Sequence, residues 1–140
     1  MSENQTPPID RHAQVFVRRI EHVRHLSASD LDSLPFGVIK VDRQGVVLAY
    51  NQSEAQLARR KPEEVLGRNF FTEVAPCTNV KEFADRFRDG VARGNVRLTF
   101  PFVFTFPNRP VHVMVTISYD APDPHGWILV DQFQSGVAPA

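Results

Sequence analysis

The chain has 140 residues, in which sixteen Lys and Arg balance sixteen Asp and Glu. That length suits one domain with its own core, and zero formal charge excludes a global pull toward nucleic acid or an anionic membrane surface. A single cysteine, Cys77, excludes an internal disulfide framework or thiolate metal cluster, and neither a membrane-length apolar run nor a secretory leader is visible, so a cytoplasmic setting is expected.

Met1–Asp10 is polar and reads as a frayed arm. Over Arg11–His25, Ala13, Phe16, Val17, Ile20 and Val23 recur at helical spacing, with Arg18, Arg19, Glu21, His22 and His25 opposite them, which predicts an amphipathic helix. A second short helix starts at Ser27 or Ser29, either of which can cap, and ends before Pro35. Phe36–Val41 and Val46–Tyr50 read as strands joined by the turn Asp42–Gly45. Asn51–Leu66 predicts one or two short helices broken near Pro62, with Gly67 as the stop. Asn69–Thr78 reads as a loop or single turn, and Asn79–Ala92 as a longer helix with Val80, Phe83, Phe87 and Val91 on its apolar side.

Three more strands close the chain. In Val96–Phe106 the residues Leu98, Phe100, Phe102, Phe104 and Phe106 share one face; Val111–Tyr119 alternates likewise, and Trp127–Phe133 is last. The order implies an α+β fold: a five-stranded antiparallel sheet with helices on one face and an N-terminal helical cap. Residues 1–28 form the arm and cap, 29–134 the core, and 135–140 a flexible tail.

Cys77 follows Val74-Ala75-Pro76, where Pro76 withdraws a backbone donor and keeps the cysteine just ahead of a helix. Such a position lowers a thiol pKa, although a small buried hydrophobe is the plain alternative. No catalytic signature accompanies His112 or His125, so covalent attachment suits the residue better than turnover. Tyr50 and Glu54, four apart where strand gives way to helix, are either a half-buried Tyr beside a capping Glu or a phenol and a carboxyl facing one cavity. In the second case burial holds the acid protonated. Arg60 by itself reads as a solvated helix charge, and the Phe stripe as core.

The same residues carry a family pattern. Tyr50-Asn51, Glu54, Arg60, Gly67, Asn69-Phe70-Phe71 and Val74-Ala75-Pro76-Cys77-Thr78 resemble the photoactive yellow proteins, blue-light receptors of the PAS fold. The resemblance runs without gaps from about Leu31 to Val130 and takes in Phe36-Gly37, Gly90-Val91-Ala92, Gly94-Asn95 and Trp127. Tyr-Asn and Val-Leu-Gly-Arg-Asn are shared by PAS domains in general, whereas the segment ending in Pro76-Cys77-Thr78 is specific.

The resemblance implies a 4-hydroxycinnamic (p-coumaric) acid held on Cys77 as a thioester. Tyr50 and a protonated Glu54 would donate to its phenolate oxygen, and Arg60 would cover the pocket mouth. Ile39, Phe70, Val74, Ala75, Phe104 and Phe106 would be walls. It further implies that light isomerises the group, that Glu54 then gives up its proton, and that the new buried carboxylate drives partial unfolding. Two positions depart from the pattern. Ala58 stands where a Thr often supports the tyrosine, and Asn108 where some relatives carry Met. The reading is of a signalling module and not an enzyme, a monomer or weak homodimer that acts on an unknown protein partner without nucleic acid or membrane. The alternatives are a chromophore-free PAS domain that binds a small ligand or mediates dimerisation, and a Cys77-based enzyme or redox sensor. Haem is disfavoured because no His lies between Asn51 and Ala92.

Overall fold

Hydrogen-bonded turns set most of the architecture. A computed structural model describes residues 19–106 and 109–132. Residues 19–23 are helical (α1), the described part of the helix expected over Arg11–His25; the rest of that segment's N-terminal side lies outside the described residues, as do Asn108 and the tail. Ser27 accepts from the Asp30 N–H and starts α2, Ala28–Asp32. Strands β1 (Gly37–Val41) and β2 (Val47–Tyr50) flank a turn closed by Asp42, whose Oδ1 accepts from the N–H groups of Gln44 and Val46 at 2.9 Å each.

Short helices cross from β2 to the second half of the sheet. Helix α3 is Gln52–Ala58 and α4 is Pro62–Val65, separated by Arg59 in the left-handed region (φ 57°). Where a loop or single turn was expected, Asn69 accepts from the N–H groups of Phe71 and Thr72 and starts a π-helical turn, Phe70–Val74; a 3-10 turn, Pro76–Thr78, follows. The long helix expected over Asn79–Ala92 is divided into a π-helical turn, Lys81–Asp85, and α5, Arg86–Arg93. Gly94 ends α5 at φ 100°, a conformation that disfavours any side chain.

Strands β3 (Asn95–Phe106), β4 (Arg109–Asp120) and β5 (Asp123–Gln132) complete an antiparallel sheet of order β2-β1-β5-β4-β3. Both β4 and β5 begin earlier than their hydrophobic patterns suggest, because ladder pairing continues past the alternating apolar residues to Phe106–Arg109 and Asp120–Asp123. The apolar alternation of β3 holds: Phe100 and Phe104 are buried, and Leu98, Phe102 and Phe106 pack against the same core.

The two sheet faces are covered differently. One carries α3 through α5 and the main core, which includes Ile39, Phe70, Phe83, Phe87, Phe104 and Ile117. The other, formed by Val38, Trp127 and Leu129, is covered by Ile20 and Val23 of α1 with Leu31 and Phe36. This second layer is the helical cap expected from the sequence. Polar contacts fasten it: Arg19 pairs with Asp131 and lies 4.3 Å above the Phe36 ring, Arg24 pairs with Asp123, and Glu21 with Arg97.

Candidate functional site

Three segments meet around a cavity of about 540 Å³ lined by Ala58, Arg60, Val74, Ala75, Pro76, Cys77, Thr105 and Phe106. They are the end of α3, the two tight turns after Asn69, and the end of β3. The left-handed Arg59 reverses the chain so that Arg60 reaches the cavity and its Nη1 donates to Val74 O at 3.3 Å. Cys77, partly buried, sits inside the 3-10 turn and not ahead of a helix. Thr78 stabilises that turn by donating from Oγ1 to Ala75 O at 2.7 Å. A thiol on a mostly apolar wall that also carries a guanidinium can hold a flat organic group.

Tyr50 and Glu54 are both buried, and neither lines this cavity. Tyr50 closes β2 opposite Ile39 and belongs to the same apolar cluster as Ala58, Val74 and Ala75. Its other side borders a second cavity of about 330 Å³, with Leu48, Asn51, Pro62 and Leu66. Glu54 occupies the first turn of α3, and its Oε1 has no hydrogen-bond partner among the described residues. Burial alone pushes its carboxyl up from 4.5 to about 8, so it is largely protonated at neutral pH. The Tyr50 phenol is raised above its usual range by burial first and by Glu54 second, with Arg60 opposing. Tyr50 thus feels both the buried acid and the cation at the cavity.

Asn51 holds this arrangement together. Its Oδ1 accepts from Val38 N at 2.9 Å and Glu54 N at 3.1 Å, while its Nδ2 donates to Leu31 O at 2.8 Å and Phe36 O at 3.0 Å. One buried amide therefore caps α3, orients Glu54 and anchors both α2 and the entry to β1.

A family model of the PAS fold matches residues 27–130. The photoactive yellow protein of Rhodothalassium salexigens is 41% identical over 102 residues, 73% of this chain and 82% of that protein. The photoactive yellow protein of Halochromatium salexigens is 42% identical over 106 residues, covering 76% and 85% respectively. The chain belongs to the photoactive yellow protein family. Among solved structures, the photoactive yellow protein domain of the sensor histidine kinase Ppr from Rhodospirillum centenum superposes with a TM-score of 0.74 at 44% identity, over 79% of this chain and 96% of that one.

Against the expectations for a photoactive yellow protein, the structure gathers Cys77, Ala58, Arg60, Val74, Ala75 and Phe106 around one cavity. Ile39, Phe70 and Phe104 are set deeper, in the core cluster that backs it and not on its surface. Asn108 lies outside the described residues. Asn51 was legible as part of the Tyr-Asn pair but not as a hub, since its four partners are scattered over the sequence. Thr105 on the cavity surface had no sequence signal beyond its place between Phe104 and Phe106. No group of three metal-ligating side chains occurs among the described residues, and none of their helices is long and apolar enough to cross a membrane.

Proposed function

We propose that the chain is a blue-light photoreceptor whose chromophore is 4-hydroxycinnamic acid, carried as a thioester on Cys77. The carrying observation is the Glu54 carboxyl: buried, protonated at neutral pH and left with an oxygen that no described residue satisfies. Such an oxygen is uncommon in a native interior, and on a protonated carboxyl it leaves hydrogen-bonding capacity that a bound oxygen can use. When bound, the chromophore supplies a light-isomerisable double bond and a phenol oxygen.

The rest is the work of this chain. Cys77 supplies the sulfur, and Val74, Ala75, Phe106 and Ala58 exclude water from the attached group. Tyr50 and Glu54 donate hydrogen bonds to a phenolate oxygen, each charge-assisted bond worth about 1.5–3 kcal/mol. Arg60 shields the opening. The proton on Glu54 is the one this chain could hand to a bound phenolate oxygen, forming a neutral phenol there and leaving on Glu54 a carboxylate without a counter-charge. An unpaired buried charge strongly destabilises its surroundings.

The neighbours of Glu54 favour the cap as the element that responds. Its backbone is tied through Asn51 to Phe36 O, and the Phe36 ring packs under Arg19 of α1. Loosening of α1 from the sheet would expose Trp127 and Leu129 to a protein partner. The chain thus acts as a signalling module and not as a catalyst.

The test is loading. Incubated with an activated ester of p-coumaric acid, the purified chain turns yellow and gains the mass of one coumaroyl group, and Cys77→Ala does neither. A colourless, unmodified wild-type chain overturns the proposal in favour of a chromophore-free PAS domain.

A further inference from the structure

A second arginine, which the family pattern read from the sequence did not single out, contacts one residue of the cavity lining without lining the cavity itself. Arg109 is the first residue of β4 and is half-buried. Its Nη2 donates to Leu57 O at 2.5 Å, and its guanidinium carbon lies 5.1 Å from the centre of the Phe106 ring. Phe106 lines the cavity and stacks on Phe104, with centroids 5.3 Å apart and planes 9° from parallel.

The backbone explains why Leu57 O is available. At the left-handed turn the N–H groups of Arg59 and Arg60 both reach Ala55 O, and the Lys61 N–H is taken by Glu64 Oε1. The terminal carbonyl of Leu57 is thereby left to a side-chain donor, and a cation is the favoured donor at a helix C-terminus. The next residue, Ala58, is cavity wall.

We propose that Arg109 is a positioning residue that locks the β3 wall of the Cys77 cavity to the α3 wall. Arg60 ties the α3 end to the Val74–Cys77 segment, and Arg109 ties it to Phe106, so two guanidiniums together bind three walls into one enclosure. A planar fork is needed, since one side chain must bond a carbonyl and cover an aromatic face at once. With the chromophore in place, an inference that rests on the function proposed above, this lock sets how tightly Phe106 packs on it and how fast the dark state returns.

The first test needs no chromophore. Alkylation of Cys77 by iodoacetamide in the unloaded chain is expected to speed up about tenfold in Arg109→Gln and less in Arg109→Lys, which keeps charge without the fork. Arg93→Gln, at a surface arginine paired with Asp89, is expected to match wild type. An unchanged rate in Arg109→Gln overturns the proposal, as does an acceleration equal to that predicted from its loss of global stability in urea. Should Arg109→Gln fail to fold, Arg109→Lys carries the same comparison. In the loaded protein, dark recovery should differ from wild type by about threefold or more, and an identical recovery rate overturns the link to the chromophore. A wild-type chain that cannot be loaded refutes the proposed photoreceptor instead, and leaves the alkylation comparison intact.

Discussion

A Cβ atom placed on Gly37 would fall 2.2 Å from Oε1 of Glu54 and 3.2 Å from its Cβ. The start of β1 therefore owes its lack of a side chain to the acid that lies across it. Gly37→Ala must push Glu54 out of its place or shift β1, an overpacking penalty of about 1–3 kcal/mol. Urea denaturation checks this, and stability within 0.3 kcal/mol of wild type, roughly the precision of such a comparison, counts against the close approach. After loading, the same variant should show a displaced absorption maximum.

Glu54 predicts the direction of a pH dependence. Its folded-state pKa, about 8, lies above the ordinary 4.5, so between those values the folded chain holds more protons than the unfolded one. Stability of the unloaded chain then falls as pH rises through this window, by at most about 1.4 kcal/mol per pH unit from this group, and levels off above it. Asp131, also raised by burial against the opposing Arg19, adds in the same direction. Denaturation midpoints from pH 4.5 to pH 9 should show a slope that Glu54→Gln reduces; equal slopes in the two proteins would remove Glu54 as its source.

Asn51→Ala deletes a side chain that satisfies four backbone groups in buried surroundings. Leaving them without partners is expected to lower stability by about 2–4 kcal/mol. The loss should exceed that of Ser27→Ala, where the N-cap of α2 is exposed and holds one N–H. Comparable losses in the two would mean that Asn51 acts only as a helix cap.

Removal of residues 1–25 takes away Ile20 and Val23 and uncovers the sheet face that carries the single tryptophan, Trp127. Trp127 emission should move to longer wavelength, and either dark recovery or oligomeric state should change. If none of the three moves, the cap contributes neither shielding nor signal.

Ala58→Thr tests the departure from the family pattern. A hydroxyl on this cavity wall should alter the absorption maximum and the chromophore pKa of the loaded protein. Identical spectra and titration curves would show that position 58 does not tune the site.

Much of the fold was written locally. Alternation in β3 and β4, the Asp42–Gly45 turn and the Ser27 cap each depend on neighbours within a few residues, so periodicity and turn chemistry reveal them. The division of the expected helix at Asn79–Ala92 was not legible, because a π-helical turn is set by packing of Phe83 and Ala84 against the core and not by propensity. The starts of β4 and β5 were missed because ladder pairing, not apolar pattern, decides them.

For the site, the residues alone singled out Cys77 and left two readings of Tyr50 and Glu54, and only the family resemblance added Arg60 and gave each a role. Tertiary structure alone decided what those groups experience. Burial of Glu54 requires Gly37 seventeen residues upstream, its orientation requires the Asn51 hub, and the end of α3 is tied to the start of β4 by Arg109 reaching back to Leu57. These relationships join residues far apart in the chain, and the physical reason they matter is desolvation: a carboxyl acquires its shifted proton affinity only after the fold has removed the water around it.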